Sequence, residues 1–149
     1  MRGGGAGYAG AVAVATLSIS LLLATGESVE GRRPAGQEFP PGVTRETVIE
    51  GRDVYLGAGL CYVCHGRQGG GVQRAGSSLR DTLWYHSDGS FRSITDLTRR
   101  GISARASATN IPMPPRGGSE IDEEEVRAAA AYVWWISRGG DPGGPGPRQ

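Results

Sequence analysis

The chain has 149 residues and a formal net charge of +1, so it accommodates one domain and lacks the strongly basic footprint of a dedicated nucleic-acid binder. With 26 glycines, 9 prolines and 38% hydrophobic residues, its core is small. All 16 basic residues are arginine, which excludes Schiff-base and P-loop lysine chemistry, and two cysteines are too few for a disulfide scaffold.

Residues 1–26 carry one charge, Arg2, and no acid, and include an apolar stretch over 9–24 that ends on Leu21, Leu22 and Leu23. That stretch has the length of a signal-peptide core and falls short of the about 20 residues of a bilayer span. Ala24 and Gly26 are small residues suited to cleavage after Gly26. Residues 1–26 are therefore expected to be a signal peptide or, uncleaved, an N-terminal membrane anchor through 9–24. Either places the remainder in the periplasm or at the extracytoplasmic face of a bacterial membrane. Residues 27–42 read as a flexible Gly/Pro/Glu/Arg linker, and 43–138 as the folded domain.

Thr44 is a candidate N-cap for a first helix that carries Val48, Ile49, Arg52 and Tyr55 and ends near Gly57 or Gly59. Gly51 costs about 1 kcal/mol relative to Ala inside a helix, and a close crossing with another helix would explain it. Next comes Cys61-Tyr62-Val63-Cys64-His65, the C-x-x-C-H pattern of covalent c-type haem attachment. Two thiols on one helical turn reach the two vinyl groups of a haem edge, and the following imidazole meets the iron from beneath the same ring. A zinc half-site would need a second pair of ligands, which His86 alone does not supply. A redox dithiol would need a βαβ setting, and a disulfide leaves the adjacent His unexplained.

Between Gly69 and Ser78 the chain reads as glycine-rich loop without phosphate-binding spacing. A second helix is expected from about Ser90 to Arg100, with Phe91, Ile94, Leu97 and Thr98 on one face and Gly101 just past its end. Met113 follows in Ile111-Pro112-Met113-Pro114-Pro115, too proline-rich for helix or central strand. It is the only methionine besides Met1, and a rigid loop holding a thioether suits the second axial ligand of the iron. Core filler is the ordinary role of a methionine. His86, giving bis-His coordination, and an open sixth position are the other ways to complete the iron.

The last helix has the clearest start: Asp122 as N-cap, Glu125 three residues later as a capping-box partner, and Glu123 and Glu124 in the first turn. Val126, Ala129, Ala130 and Val133 recur at helical spacing, which leaves one of Trp134 and Trp135 as a surface aromatic. Residues 139–149 have almost nothing apolar to bury and are expected to be disordered.

At these residues the chain resembles a class I, mono-haem cytochrome c over roughly 48–137. The likeness rests on Gly51-x-x-x-Tyr55 ahead of Cys61-x-x-Cys64-His65-Gly66, then Met113-Pro114-Pro115, then a final helix with Ala131-Tyr132-Val133. The resemblance implies an all-α cytochrome c fold of three to five helices around one covalent haem c. It implies His65 as proximal and Met113 as distal ligand, with Gly51 and Tyr55 crossing the last helix near Tyr132. Residues 83–90 are also similar to a segment in the small haem domains that serve periplasmic dehydrogenases.

Between Gly66 and Arg116 there are eight arginines (Arg67, Arg74, Arg80, Arg92, Arg99, Arg100, Arg105, Arg116) against Asp81, Asp88 and Asp96, whereas 120–125 holds five acids and no base. A basic ring near the haem edge would steer acidic docking surfaces of redox partners. Some of these arginines, with Trp84 or Tyr85, could instead meet the haem propionates. The expected function is one-electron transfer through a His65/Met113-ligated haem tethered by Cys61 and Cys64, as carrier or haem subunit between redox proteins, with no catalytic residue. The alternative is an open-site haem protein, a gas sensor or peroxidase-like enzyme.

Overall fold

The computed structural model describes residues 1, 3–5 and 38–145. The apolar stretch of the expected signal peptide or anchor over 9–24, and most of the linker over 27–42, lie outside the described residues. Among the described residues there are four α-helices: α1 (Arg45–Leu56), α2 (Cys61–His65), α3 (Phe91–Arg100) and α4 (Glu123–Ser137), with a 3-10 turn at Pro115–Gly118. No strand occurs among them, only the isolated bridges Val72–Gly76 and Ile102–Met113. The fold is all-α. No helix among them is long and apolar enough to cross a membrane.

Each long helix begins on a side-chain cap, Thr44 and Asp122 as the sequence suggests and Ser90 besides. The Thr44 side chain accepts from Thr47 N–H at 3.2 Å, and Ser90 does the same for Ser93 at 3.1 Å. Asp122 accepts from Glu124 and Glu125 N–H, each at 2.9 Å, while Glu125 reaches back to Asp122 N–H at 2.8 Å. Caps of this kind contribute about 1 kcal/mol each.

α1 and α4 form the main packing unit. A Cβ at Gly51 would overlap the Ala128 carbonyl oxygen and lie 3.0 Å from Tyr132 Cβ. The two backbones are therefore closer than any side chain at 51 permits, and the glycine's cost in helix propensity is offset by that approach. One turn on, the Tyr55 and Tyr132 rings meet edge-on with centroids 5.1 Å apart.

Trp134 and Trp135 are both buried, contrary to the expectation that one faces solvent. Their cover comes from distant parts of the chain. Phe39 packs on both rings at 6.1 and 5.9 Å, and the Arg138 guanidinium lies 4.5 Å over Trp134. The start of the tail covers the other indole: Trp135 Nε1 donates to Asp141 O and Tyr132 Oη to Pro142 O, both at 2.9 Å. The disorder expected from residue 139 thus does not describe 139–145, whose backbone carbonyls satisfy two buried aromatic donors.

Candidate functional site

α1, α2, α3, α4 and the loops between them line one cavity enclosing about 1210 Å3 of atom-free space, its open mouth included. Cys61, Cys64, His65 and Met113 all line it, so the four residues singled out in the sequence are brought together. Most of the remaining lining is apolar: Leu60, Leu79, Leu83, Trp84, Ile94, Leu97, Ile102, Ile111 and Val133.

The C-x-x-C-H segment is a single helical turn whose far end is held from α1. Tyr55 Oη donates to Gly66 O at 2.7 Å, and Gly66, at φ 78, closes the turn with its N–H on Tyr62 O. Burial keeps the Tyr55 phenol protonated well above the usual range, with Cys61 and Tyr132 adding to the effect. Cys61 and Cys64 are free thiols. Burial pushes Cys61 up to about 11, so it is a thiol and not a thiolate at neutral pH.

His65 Nδ1 lies 2.8 Å from Ser77 O. A carbonyl only accepts, so Nδ1 carries the proton and Nε2 keeps its lone pair, the tautomer a metal-binding imidazole needs. Burial lowers the His65 pKa below its ordinary 6.5, with the Ser77 bond acting the other way. The glycine-rich loop expected over 69–78 supplies this carbonyl. Its Val72–Gly76 bridge brings Gly76 so close that a Cβ there would sit 2.6 Å from Cys64 O and 3.1 Å from His65 Nδ1.

Met113 is fixed through its backbone. Ile102 N–H donates to Met113 O at 2.7 Å, and Met113 N–H to Ile102 O at 2.9 Å. Gly101, at φ 67, leaves room for the methionine segment: a Cβ there would overlap Met113 O and lie 2.7 Å from Pro115 N. His86 also lines the cavity, but its Nε2 accepts Ala108 N–H at 3.1 Å. Ser77, Gly76, Gly101 and Ile102 escape the sequence reading. Gly101 was recognisable as a helix end, but its second role depends on a segment twelve residues downstream.

Among the described residues no arginine or carboxylate lines the cavity, although Trp84 and Tyr85 do. The arginine-rich stretch is partly neutralised by Asp96 of α3 and by Glu123 at the acidic start of α4: Arg99 bonds both, and Arg116 approaches Glu123 at 3.9 Å. Arg67 lies 5.7 Å over the Tyr62 ring. Arg74, Arg80, Arg92 and Arg105 are exposed and form no ion pair among the described residues.

Two free thiols, an imidazole with its Nε2 lone pair available, a thioether and an apolar lining form a donor set that fits a haem held by thioether bonds. Zinc is a poor match, because no cluster of three or more His, Cys, Asp or Glu side chains capable of holding a metal occurs among the described residues. The sequence model of the family described as cytochrome c oxidase, cbb3-type, subunit III matches residues 46–133. The chain belongs to this family. It is a c-type cytochrome domain with covalently bound haem c, and its chemistry is haem-based electron transfer. A curated relative, the cbb3-type cytochrome c oxidase subunit CcoP of Rubrivivax gelatinosus, is 30% identical over 80 residues, 53% of this chain. The chain spans 23% of that relative's length. No solved structure matches the chain.

Proposed function

We propose that the protein passes single electrons through one haem c tethered by Cys61 and Cys64, with His65 and Met113 as axial ligands, acting as the haem subunit of an extracytoplasmic oxidase complex of the cbb3 kind. The observation that carries the reading is the shared cavity of Cys61, Cys64, His65 and Met113. The family match over 46–133 and the likeness to CcoP favour an oxidase partner over a dehydrogenase. Attachment to the membrane is assigned to residues 9–24, and donor and acceptor are redox proteins whose acidic surfaces meet Arg74, Arg80, Arg92 and Arg105.

When bound, the haem supplies the one-electron redox centre. The chain's residues set its environment. His65 is held neutral and correctly oriented by Ser77 O. Met113 occupies a position that its bridge to Ile102 prevents from drifting. His65 and Met113 would hold the iron between them, which would raise its potential and leave no position for a small gas. The lining around Leu97, Ile102, Ile111 and Val133 is apolar, which would limit the reorganisation that accompanies a change of charge on a bound haem.

The test is the full chain matured with covalent haem. Wild type should show haem that survives a denaturing gel and a reduced form that does not take up carbon monoxide. Replacing both cysteines (C61S with C64S) should abolish the covalent haem. M113A should lose the sulfur–iron charge-transfer band and gain carbon monoxide binding; an unchanged M113A spectrum overturns the ligand assignment.

A further inference from the structure

We infer that His86 is a positioning residue that clips the middle of the loop ending on Met113 and so governs how readily that loop leaves the cavity. This rests on the reading of Met113 as an iron ligand.

Residues 103–112 form a loop whose two ends are joined by the Ile102–Met113 bridge. Inside the loop the hydrogen bonds are local: Ala106 N–H to Ser103 O at 3.0 Å, Asn110 N–H to Ser107 O at 3.2 Å and Thr109 N–H to Ser107 Oγ at 3.3 Å. Among the described residues, one hydrogen bond leaves 103–112 for another part of the chain: Ala108 N–H to His86 Nε2, at 3.1 Å. It acts near the apex, the point of such a loop that the base restrains least.

The other side of the clip is firmly held. Leu83 N–H donates to Asp81 Oδ1 at 3.1 Å, and Ser87 Oγ to Ser93 Oγ of α3 at 3.0 Å. Trp84 fills the space a Cβ at Gly89 would need. His86 therefore stands on a segment fastened to α3 and accepts a hydrogen bond from a loop that, among the described residues, has no other outside hydrogen bond. To accept it, the imidazole must be neutral with its proton on Nδ1. That use of Nε2 also explains how a second histidine lines the cavity without being a competing ligand.

The experiment uses the full-length haem-loaded protein. Cyanide enters the ferric site only after the methionine has left, so its association rate reports loop opening; amide hydrogen exchange at Ala108 reports the clip itself. In wild type, Ala108 N–H should exchange more slowly than Arg105 N–H, and equal rates would overturn the clip without any variant. H86L should speed both cyanide association and Ala108 exchange by about 3- to 10-fold, the worth of one hydrogen bond. H86Q, which keeps an acceptor at the reach of Nε2, should stay within about twofold of wild type on the same reasoning. An H86L protein that matches wild type in cyanide association, or an H86Q protein that matches H86L, overturns the positioning role. Failure of the ligand reading shows elsewhere: M113A would then keep the wild-type spectrum and cyanide rate.

Discussion

Met113 O occupies the space that a side chain on Gly101 would need. The residue that ends α3 thus also sets how close the methionine segment comes to that helix. The Ile102–Met113 bridge follows directly from this approach, since it pairs the residue after Gly101 with the methionine itself.

Gly101→Ala is expected to displace the segment. The substitution places a side chain at φ 67 and ψ −170, a region open in practice to glycine alone, which costs about 1–3 kcal/mol, and adds an overlap with backbone that cannot rotate away. For a domain of this size that loss corresponds to a fall in thermal midpoint of at least about 5 °C. On the proposed ligation by Met113, the ferric protein should lose or weaken its sulfur–iron charge-transfer band. A variant with unchanged melting and unchanged band contradicts the role given to Gly101.

At Gly51 the expectation runs against helix propensity. Gly→Ala in a helix interior ordinarily stabilises by about 1 kcal/mol. Here the new Cβ would overlap Ala128 O, so α1 and α4 must separate and the Tyr55–Tyr132 contact must loosen. Overpacking of this kind costs about 1–3 kcal/mol, so Gly51→Ala should be net destabilising in denaturant titration. A more stable variant would show that the crossing is looser than described.

What the sequence made legible was local. The caps on Thr44 and Asp122, the C-x-x-C-H turn and the proline-bounded methionine are all defined by residues within a few positions of one another. The burial of Trp134 and Trp135 was not legible, because their cover comes from Phe39 and from 139–145, segments whose composition gives no reason to expect order. The charge division looked sharper in sequence than it is in space, because Arg99 and Arg116 fold back onto Glu123. The Ser77 contact to His65 is made by a backbone carbonyl, which residue identity does not reveal.

Alkaline pH should destabilise the domain through Tyr55. In the unfolded chain the phenol titrates near its ordinary 10.0, whereas burial keeps the folded-state group protonated beyond that. A raised folded-state pKa means that stability is full below about pH 10 and declines as pH rises, because the unfolded chain releases a proton the folded one retains. The slope is about 1.4 kcal/mol per pH unit for each such group, and Tyr132 shifts in the same direction. Tyr55→Phe should flatten this limb while losing about 1 kcal/mol at neutral pH, where the bond to Gly66 O is missing. Denaturation midpoints measured from about pH 8 to 11 check both parts; an alkaline limb as steep in the variant as in wild type would assign the effect to other groups.

Gly76→Ala tests the His65 side of the site. Its φ is not in the left-handed region, so the effect would be purely steric: the added methyl would lie 3.1 Å from His65 Nδ1 and 2.6 Å from Cys64 O. Relief requires the imidazole to move off Ser77 O or the loop to swing outward, and either lengthens the 2.8 Å bond. A hydrogen bond from Nδ1–H to a carbonyl makes Nε2 a stronger donor, and a stronger donor favours the oxidised iron. Lengthening that bond should therefore raise the reduction potential while Cys61 and Cys64 keep the haem covalently attached. The measurement is a redox titration of the full-length haem-loaded protein beside wild type. A potential that falls, or stays unchanged while the variant is measurably less stable, would mean that Ser77 O holds the loop together without tuning the imidazole.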